Sequence, residues 1–161
     1  MIALVAALAL AVDPPLKPRP IGPTAAYRPL AGHVPATQGC SFAGTFRVHL
    51  ELFAETYAIV VPAGIGSCAD PVRTRTPTGV VQVAGGTPHT VRDLFRVWRR
   101  PLGSHRLLSF HSASVVAAYV NGRRAAGPVA SIPLTPGAEI VLEIDGYVPP
   151  HRFFLFPKGS S

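Results

Sequence analysis

From Thr45 to Phe53 apolar and polar residues alternate, with Phe46, Val48, Leu50 and Leu52 on one side and Arg47, His49 and Glu51 on the other. A period of two is that of an extended chain, so this segment predicts a strand with one buried face. Ala54-Glu55 suits a turn, and the apolar run Tyr57 to Pro62 predicts a second strand that closes a hairpin. Residues 63–78 hold Gly64, Gly66, Cys68 and Pro71 and read as a loop; Gly79 to Ala84 reads as a third strand. The period then changes. Val91, Leu94, Phe95 and Trp98 fall at helical spacing behind Thr90, a natural N-cap, with Asp93 in the capping-box position and Pro101 as the stop. Arg106 to Phe110 predicts a short strand. Asn121-Gly122 favours a type I′ turn and makes a hairpin of Val115–Val120 with the residues from Arg123 onward. Glu139 to Ile144 alternates as a last strand, and Tyr147 to Pro157 predicts an extended tail packed on the domain. The order predicts an α+β, β-rich fold, with short strands and hairpins around one amphipathic helix, compatible with a β-grasp-like arrangement.

Composition narrows the class. With 161 residues and 48% hydrophobic content the chain can bury a core in one domain, and 18 prolines with 15 glycines favour short strands and turns over long helices. The net charge of +7 comes almost wholly from arginines that are scattered, in pairs at most, as at Arg99-Arg100 and Arg123-Arg124. Without a lysine run or an aromatic-interleaved RNA motif, this points to a solvated basic surface and to no nucleic-acid partner.

The ends of the chain speak to location. Met1 to Val12 is continuously apolar, Ala9-Leu10-Ala11 has the form of a cleavage site, and Asp13-Pro14-Pro15 breaks any helix. The run is shorter than the about 20 residues that span a bilayer. Residues 1–12 therefore read as a signal peptide or anchor stub, residues 13–37 as a Pro/Gly-rich linker, and residues 38–159 as one β-rich domain with an extended C-terminal tail. An extracytoplasmic protein, secreted or anchored to a membrane through its N-terminus, is the expectation. Cys40 and Cys68 are the two cysteines. In an exported chain they read as a disulfide closing a loop of about 29 residues, worth roughly 3 kcal/mol. Two buried thiols or thiolate ligands are the alternatives, although the spacing resembles no zinc CxxC motif.

Candidate chemistry is sparse. The six histidines are His33, His49, His89, His105, His111 and His151, and none sits in an H-x-H, H-x-x-x-H or HExxH arrangement. No G-x-S-x-G elbow occurs. The eight carboxylates form no evident acid/base pair and read as turn, cap or solvated strand residues.

Several segments taken together resemble an uncharacterised actinobacterial family of secreted or membrane-anchored proteins. Its members carry a GxxC box, an HxHxHLxxF strand, a VPAGIG segment, a cysteine before an HTHDxSGxIHxE box, an FxLGxFFxxWxxPL helix, a VNG hairpin, an IPLxxHxEIxL strand and a PPxxxFPxG tail. The counterparts are Gly39-Cys40, HLELF from His49 to Phe53, VPAGIG from Val61 to Gly66, and Cys68 before TRTPTGVVQV. The helix segment Thr90–Leu102, YVNG from Tyr119 to Gly122, Ile132–Leu142 and Pro149–Gly159 follow in order. The resemblance spans about residues 38–159, and the family's histidine boxes imply a copper or zinc site, because an H-x-H strand puts two imidazoles on one face.

The chain departs from that pattern at the implied ligands. Thr45 and Arg47 stand where the first box has histidines, leaving His49; Arg73 and Arg75 replace the histidines that flank threonine in the second; Thr76 and Gln82 replace an aspartate and a later histidine. Arginine has no lone pair to donate and stays charged. The leading expectation is thus a non-enzymatic, exported binding or structural domain of the cell envelope without a cofactor. In it Arg47, Arg73 and Arg75 are candidate anion ligands, for an unidentified ligand or envelope partner. The alternatives are a copper- or zinc-binding protein built on His49 with at least two further histidines within about 5 Å, and an enzyme of unknown class.

Overall fold

A computed structural model of the chain describes residues 44–55 and 57–156. The segments expected to be a signal or anchor stub (1–12) and a linker (13–37), and Cys40, lie outside the described residues. The element order is β1 (Phe46–Ala54), β2 (Tyr57–Ile59), β3 (Val72–Thr74), β4 (Val80–Val83), α1 (Val91–Trp98), β5 (Leu102–Gly103), β6 (Arg106–Leu107), β7 (Phe110–His111), β8 (Ala117–Val120), β9 (Arg123–Arg124), a 3-10 turn (Val129–Ser131) and β10 (Glu139–Ile144).

The main sheet runs β3-β4-β1-β10-β8-β9, with β2 pairing the far end of β1 on the same edge as β4, and β5-β6-β7 form a small second sheet. β1 and β10 are parallel neighbours at its centre, and every other pairing in the main sheet is antiparallel. Two outer hairpins flank a central parallel pair formed by the first and last strands, with the helix between them in sequence, which is the expected β-rich α+β fold.

Register sorts the side chains. Val48, Leu50, Leu52 and Ala54 of β1 share a face with Val81 and Val83 of β4 and with Ile140, Leu142 and Ile144 of β10. The apolar stripe Val91, Leu94, Phe95 and Trp98 of α1 joins them in one buried cluster. The helix starts as its sequence dictates, since the Thr90 N–H donates to Asp93 Oδ2 at 2.9 Å. It stops earlier than Pro101 requires. Arg99 adopts the left-handed conformation (φ 55), and its N–H and that of Arg100 return to the carbonyls of Arg96 and Phe95. The Asn121-Gly122 turn has positive φ at both residues (51 and 75), as a type I′ hairpin needs.

Two expectations are corrected. The presumed loop 63–78 contains β3, whose Val72, Arg73 and Thr74 are all buried and pair with β4. A three-residue strand carrying Arg and Thr has no local periodic signal; its pairing with β4 creates it. The single strand expected over Arg106–Phe110 is a tight hairpin of β6 and β7 that turns at Leu108 (φ 56).

Candidate functional site

The second face of the main sheet is polar and nevertheless covered. On β1 it carries Arg47, His49 and Glu51, on β4 Gln82, on β3 Arg73, and on β10 Glu139 and Glu143. His49, Arg73, Gln82, Glu139 and Glu143 are buried, and Glu139 and Glu143 are each only 1% exposed. The reading of these carboxylates as solvated strand residues is therefore wrong. Two features account for the burial: the central position of β10, with neighbours on both sides, and the C-terminal tail.

The tail runs down β1 in reverse. His151 Nδ1 lies 2.8 and 3.0 Å from the two carboxylate oxygens of Glu51. Phe154 stacks on the His49 ring, and the Phe156 ring lies beneath the Arg47 guanidinium at 5.1 Å. Nearer the sheet's end, the Val148 N–H donates to Glu143 Oε1 at 3.2 Å. The hydrogen bond to Glu51, and then its charge, hold the His151 pKa above its ordinary value against a smaller opposing effect of burial. Burial, opposed by the Val148 N–H and by the Arg124 charge, raises that of Glu143.

His49 is fixed on every side. Its Nε2 is 2.8 Å from the Thr78 carbonyl oxygen. A carbonyl only accepts, so Nε2 carries a proton and donates it. Its Nδ1 faces Glu139 Oε2 at 2.7 Å, a contact that one shared proton satisfies. Parallel register places Glu139 directly across from His49, and the strand period places Glu51 on the same face two residues along. Among the described residues, His49, Glu51 and Glu139 form the group that could hold a metal ion, with ligand atoms all within 4.8 Å of one another. A cleft of about 210 Å³ adjoins it, lined in part by His49, Glu51, Thr78 and Gly79.

Of the three candidate arginines, Arg47 and Arg73 fall into one row. Arg47 and Arg73 both register with Gln82, one from each side, and Arg73 Nε donates to Gln82 Oε1 at 2.9 Å. Arg75 lies beyond the strand and is exposed. Burial, and then the Arg75 charge, lower the Arg73 pKa from its very high ordinary value.

The two further histidines expected for a metal site are not in the group around His49 among the described residues. The residues gathered around His49 are carboxylates, while His89 pairs with Asp93 on the helix and His105 with the Ser114 carbonyl. Sequence reasoning missed Glu51, Glu139 and His151, separated by up to 100 positions, because only the β1–β10 register and the tail's course unite them. Cys68 is exposed and is not a free thiol. No family model, curated protein or solved structure matches the chain.

Proposed function

We propose that the chain is an exported, non-enzymatic binding domain of the cell envelope, stapled by a Cys40–Cys68 disulfide, whose binding face is the polar sheet face under the C-terminal tail. The observation that carries this reading is the burial of His49, Arg73, Gln82, Glu139 and Glu143 on one face of the sheet. Burying charge costs several kcal/mol per ion even after relaxation. A face kept only for stability is better filled with apolar side chains, as the opposite face is. The apolar N-terminus, the paired cysteines and the resemblance to secreted envelope proteins support export.

The test has two parts. Expression of the full chain in an export-competent host, with fractionation and mass measurement, is expected to give an extracytoplasmic protein without free thiols. A cytoplasmic, fully reduced protein would overturn export. Two-dimensional NMR of the same protein titrated with zinc, copper or phosphate is expected to shift signals of β1, β10 and the tail first. A polar face silent to every ligand would remove the binding assignment.

A further inference from the structure

We propose that His49, Glu139 and Glu51 form a site for one divalent transition-metal ion of the zinc class; this rests on the reading of the polar face as the binding face.

The backbone brings the three side chains together before any ligand is considered. His49 and Glu51 share a face of β1, and Glu139 stands opposite His49 on β10. Their donor atoms lie within 4.8 Å of one another. Donors about 2.0–2.2 Å from a tetrahedral ion sit roughly 3.3–3.6 Å apart, so the farthest atoms of the group close by about 1 Å on an ion while Nδ1 and Oε2, now 2.7 Å apart, open to admit it.

The imidazole is already in the form a metal takes. Donation from Nε2 to the Thr78 carbonyl fixes the tautomer and turns Nδ1 toward the carboxylates. Metal-ligating histidines use this outer hydrogen bond to a backbone carbonyl to fix ring orientation. Phe154 stacks on one side of the ring, and Gly79 comes so close that a Cβ there would lie 2.9 Å from Nε2. Such support keeps a ligand in place.

The second, independent sign is on Glu139. Its Oε1 is buried and makes no hydrogen bond, although the residue is 1% exposed. A buried carboxylate oxygen without a partner forfeits its hydration and gains nothing in return. A simple His–Glu pair leaves this atom unexplained, and an ion beside it supplies the missing partner. It enters between Nδ1 and the carboxylates, and the one proton shared by Nδ1 and Oε2 leaves to solvent.

The donor set chooses the class of ion. One nitrogen and two carboxylates suit zinc and its neighbours. Copper(I) favours thiolates and thioethers, and calcium needs six to eight oxygens. His151, hydrogen-bonded to Glu51, acts as an orienting partner for that carboxylate. Arg47 is turned onto the Phe156 ring, and Arg73 lies two strands away from β1.

Calorimetric titration of the full, chelator-stripped, oxidised chain with zinc tests the site, with magnesium and calcium as controls. The expected result is one zinc per chain and no response to the controls. Glu139→Gln and Glu51→Gln each weaken binding at least about tenfold, while His89→Ala and His111→Ala leave it unchanged. Glu51 is half-buried, so Glu51→Gln decides the matter if Glu139→Gln fails to fold. No zinc binding, or binding that neither glutamine variant weakens, overturns the site. Inorganic phosphate then separates the two readings. If phosphate shifts the signals of the polar face, the binding face stands without its metal; if nothing does, both readings fall.

Discussion

His49 and Phe154 stack nearly parallel, with ring centroids 3.7 Å apart and an interplanar angle of 11°. They are 105 positions apart in the chain, and their contact ties the tail to the sheet's central strand. An aromatic pair is worth about 0.5–1.5 kcal/mol beyond the apolar area it buries. Phe154→Ala is therefore expected to lower stability by about 1–2 kcal/mol in denaturant titration. It should also expose the tail to limited proteolysis while β1 stays protected. A variant as stable and as protease-resistant as the parent would mean that the tail is not held through His49.

The tail should dock more tightly in mild acid. Glu51 raises the His151 pKa in the folded state above its unfolded value of about 6.5. The contribution of the pair is then complete below about pH 6.5 and is lost as pH rises through the raised folded value. Hydrogen exchange at the tail amides, corrected for intrinsic rate, is expected to be slower at pH 6 than at pH 8.5. In Glu51→Gln the difference should shrink. Equal protection at both pH values in the parent would refute the coupling.

Glu143 works in the opposite sense to an ordinary surface carboxylate. Burial, above all, raises its pKa, and its Oε2 makes no hydrogen bond. Its contribution is best below the unfolded value, near pH 4.3, and declines as pH rises through the folded one. Glu143→Gln removes this decline. At pH 7 the variant is expected to match or exceed the parent by up to about 2 kcal/mol. The two stability curves should converge below about pH 4. A loss of more than about 1 kcal/mol at pH 7 would show that the charge is compensated.

Two glycines separate strain from contact. Gly79 has φ +77, and a Cβ there would stand 2.5 Å from the Leu50 carbonyl oxygen and 2.9 Å from His49 Nε2. Gly86 has φ +98 with nothing within 4 Å. Gly86→Ala is expected to cost about 1–2 kcal/mol for conformation alone. Gly79→Ala should cost clearly more and displace the His49 ring, visible as a change in its NMR signals. Equal costs would show that the 78–79 segment yields freely.

Much of this architecture is legible locally. The alternation in β1 and β10, the α1 stripe with its Thr90 cap, and the Asn121-Gly122 turn each follow from neighbours within a few residues, where propensity and period act. β3 was hidden because its pairing energy comes from β4, and the true helix stop because it depends on the left-handed conformation of Arg99. Among candidate residues, Arg47 and Arg73 both register with Gln82, but Arg75 stays exposed.

By itself, then, the sequence determined the β-rich α+β class, the apolar face of the sheet and the helix that covers it. These depend on periodicity, which each segment carries internally. The polar face was decided by tertiary structure alone. A strand's pattern tells which residues share a face, but not which strand lies beside it or what lies above. Only the parallel β1–β10 register sets Glu139 against His49, and only the tail's reversed course over β1 brings His151 to Glu51 and Phe154 to the imidazole. Contacts across some 90 to 105 positions leave no local trace, because the free energy that selects them belongs to the assembled sheet.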